Sequence, residues 1–222
     1  MLIKLTLSDV AKACGGELFG PDRVLESVVT DTRKVVAGAL FVAIKGDRFD
    51  GHDYVSQAMR NGAVAAVVSR DVDSSNYIKV ADTVLAYGAI ARLVREAFKG
   101  PVVCITGSNG KTTVKDWLAQ SLDGRNVLKT RANLNNQVGV PQTLLELESV
   151  YDVAVIEAGT SFTGEIPLLA NVAFPDIVIL TNASGSHFEG LGGLEAIAQE
   201  KGGLISGSAP NASIVLNADD QY

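Results

Sequence analysis

Cysteine is nearly absent: Cys14 and Cys104 are the only two among 222 residues, too few for a disulfide framework. Cys104 lies within Val102-Val103-Cys104-Ile105, where it reads as a small buried hydrophobe rather than a reactive thiol. Basic residues are also in deficit, 19 Lys and Arg against 25 Asp and Glu, for a net charge of −6. They are scattered, so no basic stripe exists to neutralise a polynucleotide backbone, and nucleic acid is not expected as a partner. Long apolar runs are missing too. Stretches such as Ala63 to Val68 are far too short to cross a bilayer. The opening segment, Met1 to Asp9, meets charge before any signal-like stretch develops. No internal repeat or low-complexity tract is visible. These absences lead to the expectation of a cytoplasmic protein without membrane insertion; a monomer is expected as well.

What is present is a globular balance, 47% apolar and 20% charged residues, in a chain long enough for one large domain or two ordinary ones. The pattern predicts a small α/β unit over 1–81. Ser8 is expected to cap a helix from Asp9 to Cys14, stopped by Gly15-Gly16. β-rich runs at Val28 to Thr30 and Leu40 to Ile44 follow, then a helix over Tyr54 to Asn61 and a buried strand at Ala63 to Val68. The polar stretch Asp71 to Asn76 reads as a turn. A second unit, 82–222, opens with helical periodicity over Thr83 to Phe98. Apolar strands then alternate with helices: Val102 to Ile105, Val153 to Ile156, Ile177 to Leu180 and Ile214 to Leu216, with helices over Thr112 to Leu122 and Leu194 to Ile205. Such alternation predicts a mostly parallel, doubly wound sheet covered on both faces. The chain stops just past the last strand, expected to lie in the core, so the sequence reads as the front portion of a longer, here truncated, α/β protein.

The strongest chemical signal is Thr106-Gly107-Ser108-Asn109-Gly110-Lys111-Thr112-Thr113, set between a predicted strand and a predicted helix. Glycines let backbone N–H groups turn towards phosphate oxygens, and the helix N-terminus adds a favourable dipole. Lys111 would meet the β- and γ-phosphates, and Thr112 or Thr113 would offer a hydroxyl to Mg²⁺. The usual pattern has a glycine five positions before the Gly110-Lys111 pair, where Ile105 stands. An ordinary glycine-rich turn accounts for the glycines but not for a lysine followed by two hydroxyl residues.

The compact loop T-G-x-N-G-K-T-[ST] resembles the signature of the Mur ligase family, the ATP-dependent amide ligases of peptidoglycan synthesis. The resemblance covers nearly the whole chain and is nearest to the branch that adds D-alanyl-D-alanine. Asp31-Thr32-Arg33, Leu40 to Ala43 and Asp50-Gly51-His52 are similar to that branch's N-terminal domain, which grips the uridine diphosphate end of the substrate. The resemblance makes Thr32, Arg33, Asp50, Gly51 and His52 candidate substrate contacts; the residues alone read more plainly as an Arg33–Asp31 arrangement at a turn. The segment Asn133-Leu134-Asn135-Asn136 through Pro141 and Leu145 resembles a stretch that meets the peptidyl arm, implying substrate contacts from Asn133, Asn135 and Asn136. The family usually has glycine where Ala132 stands. Asparagines in a loop are otherwise turn formers.

Glu157, at a strand's carboxyl end where ligands of parallel sheets collect, resembles the family's Mg²⁺-binding glutamate. Thr181-Asn182 through His187 and Glu189 resembles a loop whose asparagine meets the nucleotide and whose histidine belongs to the metal site. Lys201 resembles the lysine that is carbamylated to hold a second Mg²⁺, although Gly203 replaces the acidic residue usual two positions later. The family thus implies catalytic Lys111, Glu157, His187 and Lys201, a metal held by Thr112, Glu157, His187 and Lys201, cofactors ATP and Mg²⁺, and UDP-MurNAc-tripeptide and D-Ala-D-Ala as substrates. The implied reaction runs through an acyl phosphate. The closing C-terminal domain of the family has no counterpart in these residues, so the chain alone is expected to be inactive or nearly so. Rival readings are an amino-acid-adding relative, a folate-polyglutamate ligase, or a phosphate-loop nucleotide switch without ligase chemistry.

Overall fold

The structure, a computed structural model, describes residues 2–184 and 193–222. Two compact units emerge, Met1–Leu93 and Val94–Tyr222; the division falls inside the helix that the sequence places wholly in the second unit.

The first unit opens with helix α1, Leu7–Cys14. Its N-cap is Thr6, not Ser8: Thr6 Oγ1 accepts from the Asp9 N–H while the Asp9 carboxylate accepts from the Thr6 N–H. This reciprocal capping box satisfies two donors at once, which a lone Ser8 could not. Gly15, at φ +60, closes the helix in the left-handed conformation. Strands β1 (Glu17–Phe19), β2 (Ser27–Val29), β3 (Ala39–Val42), β4 (Ala65–Val68) and β5 (Tyr77–Lys79) form one sheet in the order β1-β5-β4-β3-β2. Only β1 runs antiparallel to its neighbour. Every residue of β3 and β4 is buried, and Phe41, Ala66 and Val68 pack with Val55 and Ala58 of helix α2, Val55–Arg60. The short strands β1 and β5 escape the sequence pattern, because three residues carry too little alternation to register.

A turn of 3-10 helix, Gly51–Tyr54, leads into α2. His52 within it is buried, and both ring nitrogens are engaged. Nε2 accepts from the Ser69 backbone N–H at 2.9 Å, which puts the imidazole proton on Nδ1, 2.6 Å from Asp50 Oδ1. The His52 backbone N–H and then its ring hold the Asp50 carboxyl below the ordinary carboxylate range. His52 thus ties the turn to the end of β4.

Helix α3, Thr83–Ala97, passes through the division into the second unit. There β6 (Val102–Thr106), β7 (Val127–Lys129), β8 (Val153–Glu157), β9 (Ile177–Leu180) and β10 (Ser213–Leu216) form an all-parallel sheet ordered β10-β9-β6-β8-β7. Helices α4 (Lys111–Ser121), α5 (Gly139–Leu144), α6 (Glu165–Ala173) and α7 (Leu194–Ser206) join them. From β6 the chain leaves towards β7, and from β9 towards β10, so their carboxyl ends open a crevice, the usual ligand position in such sheets. Wholly buried β6 and β8 match their unbroken apolar runs. The apolar run of β10, expected in the core, instead stands at the sheet edge with Ile214, Val215 and Leu216 exposed. Among the described residues no helix is long and apolar enough to cross a membrane.

Replacing His52 with alanine leaves the Ser69 N–H and Asp50 without their shared partner, and is expected to lower the unfolding free energy by about 2 kcal/mol. Urea denaturation checks this; a loss below about 0.5 kcal/mol would contradict the structural role.

Candidate phosphate and carboxylate site

The loop after β6 is held in shape by the loop after β9. Ser108 and Asn109 N–H groups donate to the Asn182 backbone oxygen at 2.9 Å and its side-chain Oδ1 at 3.0 Å. Asn182 Nδ2 and Thr181 Oγ1 both donate to the Asn109 carbonyl, at 3.1 and 2.6 Å. Ser108 Oγ donates to the Ser184 carbonyl, and Asn109 Nδ2 to Ser184 Oγ. The two loops must approach closely for this. At Gly107, φ is +152 and a Cβ would stand 1.9 Å from Thr181 Oγ1, so no other residue fits. Gly110, at φ +82, starts α4. Asn182, expected to meet a nucleotide, spends its side chain bracing the loop, and the Thr106 side chain is fully buried in β6.

Past the loop, Lys111 Nζ donates to the Gly107 carbonyl at 2.7 Å; burial lowers its pKa, opposed by Glu157. Thr112 Oγ1 donates to Glu157 Oε2 at 2.9 Å; Thr113, exposed like Thr112, shows no such bond. Glu157, 3% exposed, ends β8 beside β6. Its other oxygen, Oε1, accepts from Asn135 Nδ2 at 2.9 Å, and its backbone N–H donates to Thr130 Oγ1. Asn135 therefore orients Glu157, and Asn136 Oδ1 accepts from the Val138 and Gly139 N–H groups at the start of α5. Asn133 is exposed. The residue before it, Ala132, adopts φ +47, a left-handed conformation natural to glycine.

Lys201, buried on α7, has its pKa pushed down to about 8, by burial first and by the Lys111 charge second. Lys111 and Lys201 line one cavity of about 310 Å³ together with Asn133, Asn135, Asn136 and Glu165. Pattern reading assigned no role to two carboxylates nearby, Glu165 on the cavity wall and Glu200 beside Lys201 in the sequence. Glu165 Oε2 accepts from the Ser161 and Phe162 N–H groups, and buried Glu200 accepts from the Gly164 and Ile166 N–H groups, each at 2.7 Å. Glu165 satisfies donors of the loop that precedes α6, and Glu200 satisfies donors at the start of the helix, where a negative charge is favoured. A carboxylate beside Lys201 in the sequence is the signal that could have found Glu200. His187 lies outside the described residues. Among those described, no three His, Cys, Asp or Glu side chains cluster as a metal site.

The first unit has its own cavity of about 580 Å³, lined by Thr32, Arg33, Phe41, Phe49, Gly51 and Tyr54 among others. Arg33, largely in solvent, pairs with Asp31 at 2.7 Å, which holds the Asp31 carboxyl down at about 2. The plain turn arrangement is thus present, at the cavity wall. Asp50 and His52 are occupied with each other and with Ser69.

Ala132 costs conformational energy that glycine does not, so Ala132→Gly is expected to raise stability by about 0.5–1 kcal/mol. Chemical denaturation checks it; a loss of stability would show that the left-handed position is not strained.

Comparison with known proteins extends the picture. The model described as the Mur ligase middle domain matches residues 105–222, and that described as the Mur ligase family, catalytic domain, matches residues 24–97. The UDP-N-acetylmuramoyl-tripeptide--D-alanyl-D-alanine ligase of Escherichia coli is 45% identical over 99% of this chain and 49% of its own length. MurF from Acinetobacter baumannii superposes with a TM-score of 0.91 at 33% identity, over 99% of this chain and 50% of that one. MurF from Thermotoga maritima, solved in complex with ADP, gives 0.81 at 37% identity, over 87% of this chain and 46% of that one. The chain therefore spans about half the length of these relatives. With the phosphate loop, the buried Glu157 and the all-parallel sheet in one unit, and a family model covering that unit, the chain belongs to the Mur ligase family.

Proposed function

We propose that the protein is an ATP-dependent ligase of peptidoglycan precursor synthesis that joins D-alanyl-D-alanine to UDP-MurNAc-tripeptide. The observation that carries this is the meeting of Lys111 and Lys201 on one cavity, beside Glu157 and the phosphate loop. A cationic Lys111 beside the phosphate loop, on a cavity that Lys201 also lines, suits a reaction in which two anions, a carboxylate and a phosphate, must come together. The relatives named above for this activity support the substrate assignment.

In the proposed reaction the terminal carboxylate of the tripeptide attacks the γ-phosphorus of ATP, releasing ADP and leaving an acyl phosphate. The D-alanyl-D-alanine amine then attacks the acyl carbon, and phosphate departs as the amide forms. Phosphoryl transfer asks for positioning and charge neutralisation rather than a protein nucleophile. Lys111 would swing from the Gly107 carbonyl to the β- and γ-phosphates, and loop N–H groups would hold phosphate oxygens. A single buried carboxylate beside a threonine hydroxyl and a phosphate loop fits Mg²⁺, which takes few protein ligands and prefers phosphate oxygens. Thr112, Glu157, His187 and a carbamylated Lys201 would hold it; when bound, the ion supplies charge neutralisation at the transferring phosphoryl group. Asn135 keeps Glu157 aimed, and Asn133 and Asn136 are proposed to face the peptidyl arm. The first unit would take the uridine diphosphate end in its own cavity, where Phe49 and Tyr54 offer aromatic faces. ATP and nucleotide-linked sugars are cytosolic metabolites, which favours a cytoplasmic enzyme.

Calorimetry tests the assignment. Lys111→Ala is expected to weaken Mg·ATP binding by at least about tenfold, as loss of a charged phosphate contact should. Binding of ATP with no binding of UDP-MurNAc-tripeptide would move the protein to the class of nucleotide switches.

The low pKa of Lys201 bears on its chemistry. Its folded-state pKa lies below that of a free lysine, so the neutral amine accumulates as pH rises through about 8. Only that form adds CO₂, forming an N–C bond and releasing a proton. At fixed dissolved CO₂, a labelled carbamate signal by ¹³C NMR is expected to grow between about pH 7 and 9 and to be missing in Lys201→Arg. A signal that persists in the variant would assign the carbamate elsewhere.

A further inference from the structure

Lys115 has no part in the chemistry above, yet its side chain is only 4% exposed. It stands on α4 one turn beyond Lys111. Its Nζ lies 3.8 Å from Glu157 Oε2 and 3.7 Å from Asp116 Oδ1. Asp116 pairs in turn with Lys129 at 2.7 Å, both partly open to solvent. Charges thus alternate along the row Lys129, Asp116, Lys115, Glu157. At 3.8 Å the ammonium acts on Glu157 through its charge rather than through a hydrogen bond. The hydrogen bonds to that carboxylate come from Thr112 and Asn135, which are neutral. A buried carboxylate with neutral partners alone is costly, and a cation at this distance offsets the cost.

We propose that Lys115 is the resident counter-ion of Glu157 and makes divalent-cation binding at this site conditional on nucleotide phosphates. The inference rests on the proposed reading of Glu157 as a cation ligand. A dication arriving alone finds the single carboxylate already neutralised and meets two ammonium groups, Lys115 and Lys111, in the same region. Their repulsion acts in a poorly screened interior and exceeds what one shared carboxylate returns. A nucleoside triphosphate brings several negative charges to the adjoining loop and reverses the balance. The cation then enters with the nucleotide rather than ahead of it, and Glu157 is kept in place meanwhile.

Mn²⁺ binding to the chain, followed by electron paramagnetic resonance with and without a non-hydrolysable ATP analogue, tests this. The unaltered chain is expected to bind Mn²⁺ weakly on its own. Lys115→Met is expected to bind nucleotide-free Mn²⁺ on the order of tenfold or more tightly, as removal of a like charge at this range requires. Lys115→Arg and the solvent-facing Lys129→Met are expected to leave that affinity within about twofold. Adding Glu157→Gln to Lys115→Met should abolish the gain. If Glu157→Gln weakens binding of the Mn²⁺–nucleotide complex while Lys115→Met leaves nucleotide-free affinity unchanged, the counter-ion proposal is overturned and the cation-ligand reading stands. If Glu157→Gln has no effect on the Mn²⁺–nucleotide complex, that reading fails and takes the proposal with it. An equal gain in Lys129→Met would also overturn it, as an effect of net charge. Should Lys115→Met not fold alone, recovery of a cooperative melt on adding Mn²⁺ without nucleotide supports the proposal; no recovery there or in Lys115→Gln overturns it.

Discussion

A carboxylate sealed from water must be given partners or lose its charge, and the second unit meets that demand at Glu157 from several directions. Thr112 comes from the phosphate loop, Asn135 from the asparagine segment, Thr130 from the end of β7 through the backbone, and Lys115 from α4. Thr112 and Lys115 belong to the connection from β6 to β7, and Thr130 and Asn135 to that from β7 to β8. The buried charge therefore helps to fix how those connections sit on the carboxyl edge of the sheet. Function and fold share one electrostatic requirement here.

The second constraint is steric. The loop after β6 and the loop after β9 interlock through Asn109, Asn182, Thr181 and Ser184, and the fit leaves no volume at Gly107 for a side chain. A phosphate loop needs its N–H groups presented in one arrangement before the ligand arrives, since ordering them on binding would weaken affinity. The bracing supplies that arrangement. Asn182 takes part through its amide, which bonds the Asn109 N–H and carbonyl. Glu200 does comparable work for α6, holding the helix start beside the turn of α7 that carries Lys201.

In the first unit the same residue types serve a different end. Asp50 and His52 bond to each other, His52 bonds to Ser69, and Arg70 stands 3.6 Å from Asp50, so the set stabilises the turn. Arg33 remains at a cavity wall, paired with Asp31 but largely in solvent. A polar residue in a loop motif can thus act by shaping the loop or by meeting a ligand, and linear spacing is the same in both cases.

By itself the sequence determined the alternation of strands and helices in the second unit, because fully buried parallel strands such as β6 and β8 leave unbroken apolar runs. It also determined the phosphate loop and the placing of Glu157 at a strand end, because those depend on neighbours in the chain. It did not reveal the three-residue strands β1, β5 and β7, too short for a period to show. Tertiary structure alone decided that Thr112 rather than Thr113 meets Glu157 and that Lys201 approaches Lys111. It alone brought Lys115 against Glu157. Those outcomes depend on side chains from distant segments sharing a few ångströms of poorly solvated space, where charge and hydrogen bonding are strongest and where sequence separation carries no information.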